Sequence, residues 1–347
     1  ILGELLTRSG ATTALDLFTG TTRVAQEWKA RGAEVWAVDL ARYAEVLAAC
    51  YIGTDADHLD RVELDEVLSH LDSLAGTAGY ATATFSRESR YFQPHNAERI
   101  DAIRDEIRRG WAGQPIEAVL LTSLLEAADR VDSTTGLQMA YLKQWSPRSF
   151  HRLTLRPPAL IPGPGHAVRG DATVVAATLA EVDVAYLDPP YNQHRYFTNY
   201  HVWETLVAWD APEHYGIACK RLDARDASTK SVFNDRRQAP DALARLIATV
   251  RAGTVIISGS NEGWVGMDDL VAMAEVRGHV GVLAFDSKRY VGAQIGIHNL
   301  KGEKVGAVSH TRNVEYLICA GDQDVVHRLL DNDSNLCHCQ EGGVHPR

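Results

Sequence analysis

The stretch Ala14-Leu-Asp-Leu-Phe-Thr-Gly-Thr-Thr-Arg-Val24 reads as a buried strand, a tight glycine turn and the start of a helix. A second strand, Ala33-Glu-Val-Trp-Ala-Val38, follows and ends on Asp39. Strand, helix and strand make one βαβ unit, which commits this part of the chain to an α/β sheet. Gly20 and Asp39 stand close to the ~20-residue spacing at which such a unit sets an acid on a ribose hydroxyl. Asp39 is therefore a candidate for holding a nucleoside rather than a phosphate. On its own, the unit suits a plain βαβ with no ligand nearly as well.

Far downstream, Val184-Ala-Tyr-Leu-Asp-Pro-Pro-Tyr191 carries a carboxylate, two prolines and an aromatic ring to the end of an apolar run. Pro189 and Pro190 donate no backbone N–H and hold φ near a fixed value. The Asp188 carboxylate and the Pro189 carbonyl then form a stiff pair of acceptors. An exocyclic NH2 fits between them. Tyr191 is placed to stack on the same base, which must leave the duplex to be reached. The plain alternative is a turn in which the prolines only stop a strand.

With both motifs in hand, the chain resembles the adenine-N6 DNA methyltransferases of the Dam-like class, which use S-adenosylmethionine. Asp16-Leu-Phe-Thr-Gly20 resembles the family's cofactor loop and Asp39 its ribose-binding acid. Gly170-Asp171 resembles the contact on the adenine side of the cofactor, and Asp188 to Tyr191 the catalytic tetrapeptide. Phe197-Thr-Asn-Tyr-His201 is similar to the segment that follows the tetrapeptide. The resemblance implies a Rossmann-like methyltransferase sheet interrupted by a mostly helical domain that recognises the DNA target. It implies Asp16, Phe18, Gly20, Asp39 and Asp171 as cofactor-binding, and Asp188, Pro189, Pro190 and Tyr191 as catalytic. No metal is required. Cytosine-N4 methylation, whose enzymes more often carry Ser in place of this Asp, and a non-catalytic DNA-binding relative are the alternatives. Two departures stand out. Thr22 occupies a position where the family has glycine, and is expected to narrow the room for the methionine end of the cofactor. The family also begins with a segment containing Gly and Lys, which this chain, starting at Ile1, is expected to lack, with weaker cofactor binding as the result.

A net charge of −10 argues against a protein that coats DNA, so the distribution of charge matters more. From Ser133 to Gly170 there is no acid, while Lys143, Arg148, Arg152 and Arg156 interleave with Tyr141, Trp145 and Phe150. That mixture suits contact with a DNA backbone, although a solvated loop beside the core has the same composition. The expected partner is double-stranded DNA, with a cognate restriction endonuclease as a separate protein. No apolar run approaches the ~20 residues that cross a bilayer, no signal peptide precedes the first strand, and the expected location is the cytoplasm.

Helical spacing recurs at Ala41 to Cys50 and near 61–75, 96–109 and 115–130. Ile100, Ile103 and Ile107 share one face of such a helix, with Arg104, Arg108 and Arg109 largely off it. The Pro and Gly cluster from Pro157 to Gly165 reads as a hinge, and strand-like runs resume near 183–187, 253–258, 281–286 and 314–319. These readings divide the chain into a first core part (1–52), a helical insert (53–165), a second core part (166–325) and a disordered tail (326–347). Ser258 and Asn261 belong at a strand end near the target pocket, or cap the next helix. Lys220 to Arg237 reads as a mobile loop, while Lys288 to Gly292 and His310 to Asn313 read as loops flanking the last strands. The five cysteines, Cys50, Cys219, Cys319, Cys337 and Cys339, form no ligand framework and are expected as free thiols.

Overall fold

Strands β1 (Thr13–Asp16), β2 (Glu34–Asp39), β3 (Gly165–Arg169) and β4 (Val182–Leu187) build one half of a seven-stranded sheet. The structure, a computed structural model, describes residues 1–193, 195–288, 297–298, 304–306 and 312–331. Strands β5 (His214–Tyr215) and β6 (Lys220–Arg221) form a separate hairpin. The sheet is completed by β7 (Ala252–Ser260), β8 (His279–Lys288) and, beyond the short pair β9 (Ile297–His298) and β10 (Lys304–Gly306), by β11 (Arg312–Gly321). The order is β3-β2-β1-β4-β7-β11-β8, with β11 antiparallel to both neighbours and the pairings from β3 to β7 parallel.

Helices cover both faces, as a parallel sheet requires. In chain order they are α1 (Leu2–Ser9), α2 (Arg23–Ala30), α3 (Arg42–Ala48), α4 (Arg61–Ser73), α5 (Tyr80–Thr82), α6 (Pro94–Trp111) and α7 (Glu117–Asp129). Then follow α8 (Ala172–Thr178), α9 (Tyr196–Asn199), α10 (His201–Ala208), α11 (Ala239–Thr249), α12 (Met267–Ala274) and α13 (Gln323–Leu330). One apolar layer joins Trp28 of α2 and Tyr186 of β4 to Ile100, Ile103 and Ile107 of α6 and Leu120 of α7. The opposite layer joins Leu187 and Ile257 to α8, α11 and α12. This is the expected Rossmann-like α/β sheet with helical additions. The helices between β2 and β3 share their core with the sheet itself.

Three expectations change, and a buried cation, Arg104, joins them as a finding. Gly165, placed at the hinge, opens β3: a Cβ there would lie 2.6 Å from the Ile52 carbonyl oxygen, so only glycine lets the strand pass. Arg104 is buried at 4% exposure, donating to the carbonyls of Leu206 and Val207 at 2.7 and 2.9 Å. It satisfies acceptors that the end of α10 leaves open, the ordinary use of a cation at a helix C-terminus. Residues 326–330, expected in a disordered tail, belong to α13 instead, where Asp322 caps the helix and Val326 and Leu329 are fully buried. Lys220 to Arg237 is folded into β6 and three short 3-10 turns rather than a mobile loop. Residues 289–292, 310–311 and 337–339 lie outside the described residues. Among the described residues no helix is long and apolar enough to cross a membrane.

Lys29 of α2 is 1% exposed, and its Nζ donates to the carbonyls of Tyr51, Ile52 and Thr54 at 3.3, 2.7 and 2.7 Å. It closes the π-helical turn Ala49–Gly53 that follows α3.

Candidate active site

Strand order reverses between β1 and β4, and at such a point a crevice opens beyond the carboxyl ends of the strands. A cavity of about 550 Å³ lies there, lined among others by Asp16, Phe18, Gly20, Asp39, Asp171, Asp188 and Pro190. All five expected cofactor residues thus share one cavity with two members of the tetrapeptide. Pro189 is buried behind it. Tyr191 is 38% exposed outside the lining, and its carbonyl accepts from the Trp264 N–H at 3.2 Å.

The glycine turn is built by its neighbours. Leu17 N–H donates to the Tyr186 carbonyl at 3.2 Å and Thr19 N–H to the Val38 carbonyl at 3.0 Å, which fixes the turn between β4 and β2. Gly20 adopts φ 49° and donates its N–H to Asp39 Oδ2 at 2.9 Å. Asp39 Oδ1 accepts from Ala41 N–H at 2.9 Å, so one carboxylate holds two loops. Burial raises the Asp39 carboxyl above its ordinary range, and these N–H groups draw it back.

Thr22 follows at φ 63°, a left-handed conformation unusual for a β-branched residue. Its side chain is fully buried, accepts from Gln26 Nε2 at 2.7 Å and is not part of the cavity wall. The narrowing expected from this threonine is therefore not found. Its cost is local backbone strain.

Two acids are poised by burial. Asp16, 1% exposed, accepts from Thr19 Oγ1 at 2.9 Å through Oδ2, while Oδ1 has no partner. Burial, with the charges of Asp188 and Asp39 added, pushes its carboxyl up to about 7 against the hydrogen bond from Thr19. Asp188 is pushed up to about 6, again mainly by burial, while hydrogen bonds from Ser258 and Tyr186 hold it down. Ser258 is thus beside the tetrapeptide, as expected. Asn261 instead ties β7 to β11 through Val314, its N–H donating at 3.1 Å.

Of the wall opposite the glycine turn, the sequence marked only the segment Phe197 to His201. Tyr43, Tyr196 and Tyr200 line it, with Tyr196 and Tyr200 stacked at 6.5 Å and 4°. Glu204, 3% exposed, accepts from the Tyr43 N–H, and Phe233 meets Phe18 edge-on at 5.3 Å. Asp223, Ser228 and Asn234 show that the segment after β6 forms part of the lining. Asp171 caps α8, accepting from Thr173 N–H at 2.8 Å.

The expected DNA-contacting residues lie apart from the cavity lining, along the segment that crosses α6 and α7. Arg148 is ion-paired to the buried Asp132, and Arg152 donates to the Asp72 carbonyl at 2.9 Å. Arg156 is exposed, its backbone bonded to Ser123 Oγ. Lys143 carries an accepted bond at its carbonyl from Arg90, 2.6 Å long. Arg148 and Arg152 thus meet acids from outside the acid-free stretch.

The cavity offers chiefly carboxylates and aromatic rings. Seven carboxylates against three arginines, Arg23, Arg42 and Arg169, suit a ligand with net positive charge, an aromatic base and hydroxyls. Fold and site together define a Rossmann-like α/β protein whose switch-point cavity suits a cationic nucleoside. A family model described as D12 class N6 adenine-specific DNA methyltransferase matches residues 2–245, and the chain belongs to this D12 class of DNA methyltransferases. It is 30% identical over 272 residues to modification methylase StsI of Streptococcus sanguinis, covering 74% of this chain and 41% of that one. It is 28% identical over 283 residues to type II methyltransferase M.FokI of Planomicrobium okeanokoites, covering 76% and 43%. It is 29% identical over 283 residues to type II methyltransferase M.NlaIII of Neisseria lactamica, covering 79% and 83%. The chain thus spans less than half the length of the first two relatives. S-adenosylmethionine dependence comes with the family, and the unpartnered Asp16 Oδ1 inside an acceptor-lined cavity fits that cation.

Proposed function

We propose that this chain methylates the exocyclic N6 amine of adenine in double-stranded DNA, as the modification half of a restriction-modification pair. The observation that carries the reading is Asp188 with Pro189 and Pro190 at the end of β4, beside a cavity suited to a cationic nucleoside. S-adenosylmethionine supplies an electrophilic methyl group. Asp16, Asp39 and Asp171 would hold it by its ammonium, ribose and adenine ends in turn. Asp188 and the Pro189 carbonyl accept the two N–H bonds of the target amine. That keeps its lone pair from delocalising into the ring and leaves it free to attack in line. The surplus proton passes to water. Tyr191, partly exposed, stacks on the flipped base. The helices between β2 and β3, spanning most of 53–165, serve as target recognition domain, and Lys143, Arg148, Arg152 and Arg156 meet phosphates. A cognate endonuclease acts as a separate protein.

Aspartate rather than serine at position 188 favours adenine over the N4 amine of cytosine. The test is incubation of the full chain with S-adenosylmethionine and DNA of diverse sequence, followed by digestion to nucleosides and mass spectrometry. N6-methyladenine is expected, absent with Asp188→Ala although that variant still binds cofactor. N4-methylcytosine as the product overturns the base assignment, and no methylated base overturns the activity.

A further inference from the structure

The β5–β6 hairpin lies apart from the chemistry proposed above and carries a second constellation. His214 pairs with Arg221 and Tyr215 with Lys220, and Gly216 to Cys219 make the turn, closed by Cys219 N–H donating to the Gly216 carbonyl at 3.0 Å. Cys219 sits at φ 47°, a left-handed conformation that non-glycine residues rarely adopt and that gathers at functional sites. Its side chain is 3% exposed. Glu88, the last residue of the π-helical turn Ala83–Glu88, reaches the hairpin from the helical region, its Oε2 2.9 Å from His214 Nε2. The ligand atoms of Glu88, His214 and Cys219 all lie within 4.8 Å of one another. Thiolate sulfur, imidazole nitrogen and carboxylate oxygen together are the donor set of a borderline-soft divalent cation, not of magnesium or calcium.

We infer that Glu88, His214 and Cys219 bind a divalent cation of the zinc type, with water as fourth ligand, and so fasten the hairpin to the helical region. On binding, the thiol proton leaves to bulk water, three metal–ligand bonds form, and nothing is oxidised or reduced. The consequence reaches the cavity through the chain itself. Arg221 ends the hairpin, buried and held by two bonds of 2.7 Å to Asp210 and one of 2.6 Å to Asp223. Asp223 begins the segment through Asn234 that lines the cavity, so the cation anchors one end of that wall.

The test uses the full chain carrying Cys337→Ser and Cys339→Ser, so that the other cysteines near the carboxyl end cannot contribute. After treatment with a chelator, Co²⁺ is titrated and the absorption spectrum followed. One cobalt per chain is expected, with a near-ultraviolet thiolate-to-cobalt band and tetrahedral visible bands, both removed by stoichiometric Zn²⁺. Cys219→Ser loses the thiolate band, and His214→Ala, at a half-buried position less demanding of the fold, loses tight binding. A parent protein without the band overturns the proposal. So does a band undiminished in either variant.

Discussion

Replacing Asp16 by Asn separates the cost of a buried charge from its use. The carboxyl is raised from 3.8 to about 7, first by burial, with Asp188 and Asp39 adding to it. Because the folded state holds this proton more tightly than the unfolded state, the contribution to stability is complete below the unfolded value. It is lost as pH rises through the folded one. At ~1.36 kcal/mol per pH unit, the carboxylate costs the folded protein up to about 4 kcal/mol at about pH 8, and about 1.7 kcal/mol at about pH 5. Asparagine is nearly isosteric, stays neutral and can keep the hydrogen bond from Thr19 Oγ1. Urea unfolding without cofactor therefore finds the variant more stable, by a margin that grows about 2–3 kcal/mol between the two pH values. S-adenosylmethionine affinity moves the other way. A charged hydrogen bond is worth ~1.5–3 kcal/mol, so calorimetry at the higher pH shows a dissociation constant raised at least about tenfold. A stability margin equal at both pH values refutes the buried-charge argument, and an unchanged affinity refutes the assignment of Asp16 to the cofactor.

Asp39→Ala removes the acceptor of both Gly20 N–H and Ala41 N–H, so it loosens the glycine turn as well as any ribose contact. The KM for S-adenosylmethionine should rise about ten- to a hundredfold, from ~1.5–3 kcal/mol per charged bond, while turnover at saturation recovers. A low kcat with unchanged KM counts against it. Replacing Lys143, Arg148, Arg152 and Arg156 together by Gln would flatten the plot of log DNA affinity against log salt by ~3.6 if all four cations met phosphates. Arg148 and Arg152 must first give up Asp132 and Asp72, so a drop smaller than ~3.6 is expected from a salt titration. No change in slope would make the segment a structural linker.

The βαβ unit and the end of β4 were legible because parallel strands buried on both faces leave unbroken apolar runs, and proline and glycine mark where those runs stop. Strand β3 left no such trace. Gly165-His-Ala-Val-Arg169 lies at the sheet edge without a single buried residue, so it reads as loop. Gly20 and Asp39 stood out by spacing, since chain geometry fixes how far a βαβ unit can carry an acid, whereas Asp16, Phe18 and Asp171 came only with the family resemblance. The opposite wall, Tyr43, Tyr196, Glu204 and Phe233, comes from four separate elements, and no local pattern announces their meeting. Polar residues such as Ser228 and Asn234 that face a cavity have the same composition as those that face solvent. Arg104 and Lys29 were hidden for a related reason. Each is a buried cation whose hydrogen bonds go to backbone carbonyls, which every residue possesses.

Strands β2 and β3 are neighbours in register, Asp39 beside Arg169, with the Gly170 N–H bonded to the Asp39 carbonyl at 3.0 Å, yet all of α3 to α7 lies between them. On the ribosome, β1 and β2 therefore emerge long before either acquires its second partner. Until then, the pair presents free hydrogen-bonding edges that another nascent chain can join. Closing the sheet requires contacts distant in sequence, which makes it a slow step. The buried Lys29, by bonding the carbonyls of Tyr51, Ile52 and Thr54, ties the turn after α3 back to α2 with contacts that close before the distant strands arrive.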